Sequence, residues 1–348
     1  MQPFPTRLLR WYDGCRRDLP WRRTRDPWAI WVSEVMLQQT RVEAVRAPYE
    51  RFLARFPTPA AFAAASDDEL LAAWRGLGYY RRARLLRDGA RQVVTAHGGA
   101  VPGQRDELAE LPGIGAYTLG AVASIAFGLP EVAIDGNVER VVARHRGLRE
   151  SVETAAARRL LRTILEQWLP KKRPGDFNQA LMELGATVCK PGTPDCANCP
   201  VASDCVARAE GLTTTLPVRK PPRAAVDVQA RVVLVVDRGR ALGHRLAAGE
   251  ANAGQVELPG AGMLTSCEAA DLANVLRERF GASAAVGPVL ATVRHAITHH
   301  RITLQAHAAT LRRPGSLQWF ALDAATPWTT PSRKVFQGAL DTDAPRQA

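Results

Sequence analysis

Long hydrophobic runs are missing from this chain. The longest apolar stretch among its 348 residues, "LGAVASIAFGLP" at 119–130, is too short to cross a bilayer and lacks flanking stop signals. Membrane insertion is therefore not expected. The opening "MQPFPTRLLRWYDGCRRDLPW" builds no apolar leader before it turns arginine-rich, so the expectation is a cytoplasmic protein. No internal repeat is visible. Acidic residues are the scarcer charge: 34 Asp and Glu stand against 46 Lys and Arg, a net +12. Arginine supplies most of that excess, in clusters such as "RTR" (23–25), "YYRRARLLR" (79–87) and "KKR" (171–173). Arginine is suited to phosphate, so an anionic polymer is the natural partner, although a generally basic surface would give the same count. Cysteine is sparse, with six residues in all. In a reducing compartment such thiols more often serve a metal than a disulfide.

What is present divides into two textures, and the length suffices for two domains. Up to about residue 210, apolar residues recur at three- and four-residue spacing. Examples are "YERFLARF" (49–56), "ELLAAWRGL" (69–77), "NVERVVARH" (137–145) and "AARRLLRTILEQWL" (156–169). This predicts an all-α domain over 1–210. Residues 211–225, "GLTTTLPVRKPPRAA", read as an extended linker. Beyond it, "ARVVLVVD" (230–237) and "HRITLQAHA" (300–308) are strand-like, and "CEAADLANVLRERF" (267–280) is helical in pattern. A small α/β domain is expected over 226–340, with a disordered tail at 341–348.

Four local patterns carry chemistry. Cys189, Cys196, Cys199 and Cys205 follow the spacing C-x6-C-x2-C-x5-C, and four thiolates within 17 residues can wrap one metal centre, zinc or an iron–sulfur cluster. Spacing alone does not choose between them. "LPGIGAYT" (111–118) breaks one helix and begins another, with Gly113 and Gly115 permitting a tight turn and free amides for a phosphate. That is a helix-hairpin-helix pattern, though a plain interhelical turn reads the same way. In "WVSEVMLQQT" (31–40), Glu34 lies inside an apolar run. Either it turns outward beside Ser33, or it is buried with a raised pKa, as a general acid near neutral pH requires. Asp135, before a helix in "AIDGNVERVV", is a natural N-cap, yet opposite Glu34 it would complete a carboxylate pair able to split a glycosidic bond.

"SEVMLQQT", "GLGYYRRARLL", "LPGIGAYT", "IDGNVERV", "FNQALMELGA" and the cysteine quartet occur in the order seen in adenine DNA glycosylases, the MutY family. The chain resembles that family over roughly residues 8–217, within the helix-hairpin-helix superfamily that includes endonuclease III. The resemblance implies an all-α helix-hairpin-helix glycosylase domain with a cluster loop at 189–205, and a small α/β Nudix-like C-terminal domain. It implies base excision repair by removal of adenine opposite 8-oxoguanine or guanine in duplex DNA, by a monomer. Glu34 would protonate the adenine ring, Asp135 would stabilise the oxocarbenium-like sugar, and Asn137 and Tyr117 would support it. A transient bond to Asp135, with retention, is what the family suggests.

The resemblance also implies that Cys189, Cys196, Cys199 and Cys205 hold one four-iron four-sulfur cluster ordering a DNA-binding loop. Lys190 would be that loop's basic contact, weakened somewhat by Asp195. Gln39 and Tyr79 match the wedge residues, with Thr40 and Leu77 on the 8-oxoguanine side. Leu19, Trp21, Arg22 and Gln179 match the lining of the adenine pocket. A tandem tyrosine followed by arginines suits a DNA-facing surface. Tyr117 stands where strand-cutting relatives use a lysine, and a phenol forms no imine, so base removal without an efficient lyase step is expected. In the C-terminal part "GQVELPGAG" (254–262) resembles a Nudix segment. Arg277 and Glu278 remain without a following Glu-Glu pair, so lesion binding without nucleotide hydrolysis is expected. Ile297-Thr298-His299 occupies the place of a Phe-Ser-His lesion-reading loop, its threonine keeping the hydroxyl. An endonuclease III-like pyrimidine glycosylase and a non-catalytic, zinc-stabilised DNA-binding factor are the alternatives.

Overall fold

The computed structural model describes residues 2–343 apart from 222, 248, 251 and 324, with side chains as far as 339. It divides into two compact units: Met1–Ser66 with Ala73–Pro221, and Asp67–Ala72 with Pro222–Ala348.

The first unit is helical. Its elements begin with α1 (Phe4–Cys15), α2 (Pro27–Leu37), α3 (Val42–Arg55) and α4 (Pro59–Ala63). The short α5 (Asp67–Ala73) follows, almost wholly grouped with the second unit. Then come α6 (Arg81–Ala96), α7 (Arg105–Ala109), α8 (Ala116–Phe127), α9 (Gly136–Arg146), α10 (Ala155–Trp168), α11 (Pro174–Thr187) and α12 (Val206–Ala209). Asp26 starts α2 by accepting from the amides of Trp28 and Ala29, and Pro27 fills the first turn, where no amide is needed. All nine residues from Trp28 to Met36 are buried. A helix apolar on every side can only be a core helix, and α2 packs into an aromatic cluster of Trp28, Trp31, Phe52, Phe62 and Trp74. A second core joins α1, α9, α10 and α11 through Leu8, Val138, Leu161, Phe177 and Leu181.

The loop between α7 and α8 tests the two glycines of the hairpin pattern separately. Gly113 has φ +83°, and a Cβ there would lie 3.1 Å from the Leu85 Cβ, so both conformation and close approach demand glycine. Gly115 has φ −88° and open space around it, so neither constraint applies. What its bare N-cap does is leave the first amides of α8 without a side-chain partner.

Segment 211–221 differs from the extended linker expected there. The Leu216 side chain is buried, the Leu216 carbonyl accepts from Arg144 at 2.9 Å, and the Val218 carbonyl accepts from the Val152 amide. Those contacts fasten the segment to the helical unit, and the unit boundary falls at Pro221.

The second unit is α/β. Strands β1 (Val226–Leu234), β6 (His300–Arg313) and β5 (Ser283–Ile297) form one sheet in the order β1-β6-β5, parallel then antiparallel. Strands β2 (Val236–Asp237), β3 (Arg240–Arg245) and β4 (Val256–Glu257) form another, with β7 (Gln318–Ala321) paired to β3. Helices α13 (Leu272–Phe280) and α14 (Thr330–Asp343) complete it. The predicted 267–280 helix begins only at Leu272, because Glu268 is extended (φ −77°, ψ 152°) and Ala269–Asp271 form a 3-10 turn. Of the expected tail, 341–343 continue α14, and 344–348 lie outside the described residues.

Candidate active site

Glu34 faces inward. It is 5% exposed, and Ser33 beside it is fully buried with its hydroxyl on the Ile30 carbonyl. The outward-facing alternative is thereby excluded. Tyr117, in the first turn of α8, donates its phenol proton to Glu34 Oε2. Burial pushes the Glu34 carboxyl up to about 7, against the hydrogen bond from Tyr117; Asp135 adds to the rise and Arg22 opposes it. Burial, with Glu34 and Asp135 nearby, also raises the Tyr117 phenol well above its usual range, so it remains a donor.

Asp135 is the N-cap that its place before a helix predicts. Its Oδ1 caps α9 by accepting from the Val138 amide at 2.8 Å, while Oδ2 accepts from Asn137 Nδ2 at 2.8 Å. The Asn137 Oδ1 in turn accepts from Arg140 at 2.8 Å, and Arg140 reaches the carbonyls of Gly185 and Cys189. A continuous chain of hydrogen bonds thus runs from the Asp135 carboxylate to the first cysteine of the quartet.

One cavity of about 640 Å³ brings the predicted residues together: Leu19, Trp21, Arg22, Glu34, Gln39, Thr40, Tyr117, Asp135, Asn137 and Gln179 all line it. Leu77, Tyr79, Gly113, Gly115 and Lys190 do not. Leu77 is buried; Tyr79 is half exposed beside the loop that carries Gln39 and Thr40, and Gly115 and Lys190 are exposed. Thr298 and His299 form the two-residue turn between β5 and β6, in the second unit. The Thr298 hydroxyl donates to the Ile297 carbonyl at 2.7 Å.

Sequence reasoning missed Glu183. This carboxylate is 1% exposed and accepts from Arg17 at 2.8 and 2.7 Å and from Arg22 at 2.8 Å. Burial alone would raise it, but the hydrogen bonds from Arg17 and Arg22 outweigh that and hold it at about 2. Glu183 therefore fixes Arg22 at the cavity wall. Its signal was available: it lies one helical turn from Gln179, on the same face of α11. Arg82 was also misread, since it turns inward instead of joining an arginine-rich DNA face.

The four cysteines surround a second, small cavity together with Arg144, Val188 and Arg208. Burial pushes the Cys199 thiol up to about 11, and the other three cysteines push it the same way. Arg144 lies 3.4 Å from the Cys189 sulfur and holds the loop through the Lys190 and Gly192 carbonyls. Among the described residues no three His, Cys, Asp or Glu side chains converge on a single-ion site. Four thiols lining one small cavity are a donor set that an iron–sulfur cluster fits.

Residues 32–170 match the model of the HhH-GPD superfamily of base excision DNA repair proteins. The adenine DNA glycosylase of Mycolicibacterium smegmatis is 42% identical over 229 residues, covering 65% of this chain and 77% of that protein. The chain belongs to the adenine DNA glycosylase family. The human adenine DNA glycosylase is 48% identical over 210 residues, 58% of this chain but 38% of the human protein, so the chain spans well under half of that longer relative. Among solved structures, a thermostable thymine-DNA glycosylase superposes with a TM-score of 0.56 at 31% identity, covering 60% of this chain and 95% of that one. Endonuclease III, trapped as a covalent intermediate with DNA, superposes with a TM-score of 0.52 at 26% identity, covering 60% of this chain and 95% of its own. The glycosylase family and its helical fold thus agree with what the sequence motifs implied.

Proposed function

We propose that this protein is a monofunctional adenine DNA glycosylase that hydrolyses the bond between adenine and deoxyribose opposite 8-oxoguanine or guanine in duplex DNA. The observation that carries the reading is a buried Glu34, near neutral pKa, sharing one cavity with Asp135. The adenine, extruded from the duplex, enters that cavity. Glu34 gives its proton to the ring, the bond from the sugar C1′ to the base breaks, and the bonding electrons leave with adenine. The positive charge left on the sugar is stabilised by the Asp135 carboxylate, which Asn137 holds in place at 2.8 Å. Tyr117 orients Glu34 and keeps its acidic oxygen from turning away. Water adds at C1′ and its proton returns to the Glu34 carboxylate. Leu19, Trp21, Arg22 and Gln179 form the wall that receives the base, Gln39 and Tyr79 fill the place it vacates, and Thr40 and Leu77 sit on the side of the opposite purine. The turn at Gly113 leads into the uncapped first amides of α8, after Gly115, and these bind a backbone phosphate.

Cys189, Cys196, Cys199 and Cys205 would hold a four-iron four-sulfur cluster, which supplies fixed geometry to the loop bearing Lys190 and no chemistry at the base. The second unit reads the lesion through Thr298 and His299. The protein acts as a monomer in the cytoplasm, on the nucleoid in a bacterium. The test is to incubate the purified protein with duplexes bearing adenine opposite 8-oxoguanine and measure free adenine. Release that is lost in both Glu34→Gln and Asp135→Asn supports the assignment, and release undiminished in either removes that residue's role.

A further inference from the structure

Two exposed residues assigned to the wedge share an unusual backbone. Gln39 has φ 57° and Tyr79 has φ 47°, both in the left-handed region that residues other than glycine rarely enter. Such conformations cost free energy and persist only where the surroundings over-determine them. The two lie on different loops, 38–40 after α2 and 77–80 before α6. One side chain touches both loops. Arg82, at the start of α6, donates through Nη1 to the carbonyls of Val35 at 2.7 Å, Met36 at 3.1 Å and Gln38. Through Nη2 it donates to the carbonyls of Leu77 at 3.0 Å and Gly78 at 3.3 Å, and to the Thr40 hydroxyl at 3.2 Å. The Thr40 hydroxyl also lies 3.4 Å from the Leu77 carbonyl, a direct tie between the loops. The Arg82 cation sits over the rings of Trp74 and Tyr79, at 5.8 and 5.6 Å.

This is an odd use of arginine. Among the described residues no carboxylate pairs with Arg82; its half-buried charge is balanced by carbonyl dipoles and ring faces. Burial without an acid pushes its guanidinium down to about 10. The carbonyls of Val35 and Met36 belong to the last turn of α2, whose acceptors have no helical partner, and α2 carries Glu34 one residue earlier. We propose that Arg82 is a positioning residue, a clasp that locks the Gln39 and Tyr79 loops to each other and to the end of the Glu34 helix so that the wedge enters DNA as one rigid piece. The wedge role rests on the glycosylase reading above; the clasp itself does not. A lysine keeps the charge but not the fork that spans both loops.

The experiment has two arms. Hydrogen exchange of the DNA-free protein is followed for segments 35–42 and 75–82, with α8 as the internal reference. In Arg82→Lys both loop segments are expected to exchange at least tenfold faster, together, while α8 keeps its native protection. Unchanged exchange, or a change confined to one loop, overturns the clasp whatever the protein's substrate. In the second arm, a duplex with 2-aminopurine opposite 8-oxoguanine reports base extrusion, and single-turnover adenine release is measured beside it. Displacing a wedge by about an ångström slows such steps by roughly tenfold to a hundredfold, and Arg82→Lys should lose both signals by that factor while the pH midpoint set by Glu34 stays put. Loosened loops with native extrusion and release overturn the positioning role. A native protein that neither extrudes nor releases the base removes the glycosylase reading and leaves the clasp to be decided by exchange. If Arg82→Lys gives no cooperative unfolding transition, Thr40→Ala takes its place; it removes the hydroxyl tie and should speed exchange in both loops, and no increase overturns the clasp.

Discussion

Replacing Glu34 by glutamine should make the helical unit less sensitive to alkaline pH. The Glu34 carboxyl is raised from its ordinary 4.5 to about 7, chiefly by burial. Because the folded state holds this proton more tightly than the unfolded state, the stabilisation is complete below about pH 4.5 and is lost as the pH rises through 7. Each pH unit of displacement corresponds to about 1.4 kcal/mol, so the whole effect is roughly 3 kcal/mol, of which about 2–3 kcal/mol falls between pH 5 and 8.5. Glutamine does not titrate. The stability of Glu34→Gln relative to the native chain should therefore climb by that amount across the interval, whatever the variant does to adenine release. Urea unfolding at several pH values, followed by tryptophan fluorescence, measures it, since Trp28, Trp31 and Trp74 are buried in this unit. A stability difference that stays constant from pH 5 to 8.5 would refute the reasoning and return Glu34 to an ordinary solvated carboxylate.

Three further outcomes are expected. Borohydride treatment during turnover should trap no covalent protein–DNA adduct, because Tyr117 offers no amine; an adduct at stoichiometric yield would contradict this. Purified protein should be yellow-brown with iron and inorganic sulfide in equal amounts, and Cys199→Ser should lose most of that absorbance; a colourless protein containing one zinc would overturn the cluster assignment. Thr298→Ala should lower the preference for adenine opposite 8-oxoguanine over adenine opposite guanine several-fold, with release from the guanine duplex unchanged. An equal fall on both duplexes would remove Thr298 from lesion reading.

Much of the helical unit was legible because its signals are local. The three- and four-residue spacing in 49–56, 137–145 and 156–169 lies within or at the ends of α3, α9 and α10, and the apolar run around Glu34 made a buried carboxylate one of two open readings. The cysteine quartet is compact in sequence, so its four thiols had to be neighbours. What stayed hidden depends on long-range geometry. Glu183 shares a helix face with Gln179, but its partners Arg17 and Arg22 lie 166 and 161 residues away, a pairing that no spacing pattern encodes. The rule that clustered arginines face a polyanion failed for Arg82, and Arg140 and Arg144, outside the clusters, also turn inward. The last two are 8% and 3% exposed, because one guanidinium can satisfy several carbonyls that would otherwise be buried without donors. In the second unit β5 was largely unread, since its Ala-rich run, interrupted by Gly287-Pro288, alternates poorly and its pairing with β6 shifts register between Val286 and Ala291.

The most direct measurement is the single-turnover rate of adenine release from a duplex carrying adenine opposite 8-oxoguanine, taken from pH 5.5 to 9. With Glu34 as the proton donor, the rate should be level on the acid side and fall about tenfold per pH unit above a midpoint near 7, with no release by Glu34→Gln at any pH. A rate that stays level to pH 9, or a Glu34→Gln protein that still releases adenine at the native rate, would contradict it.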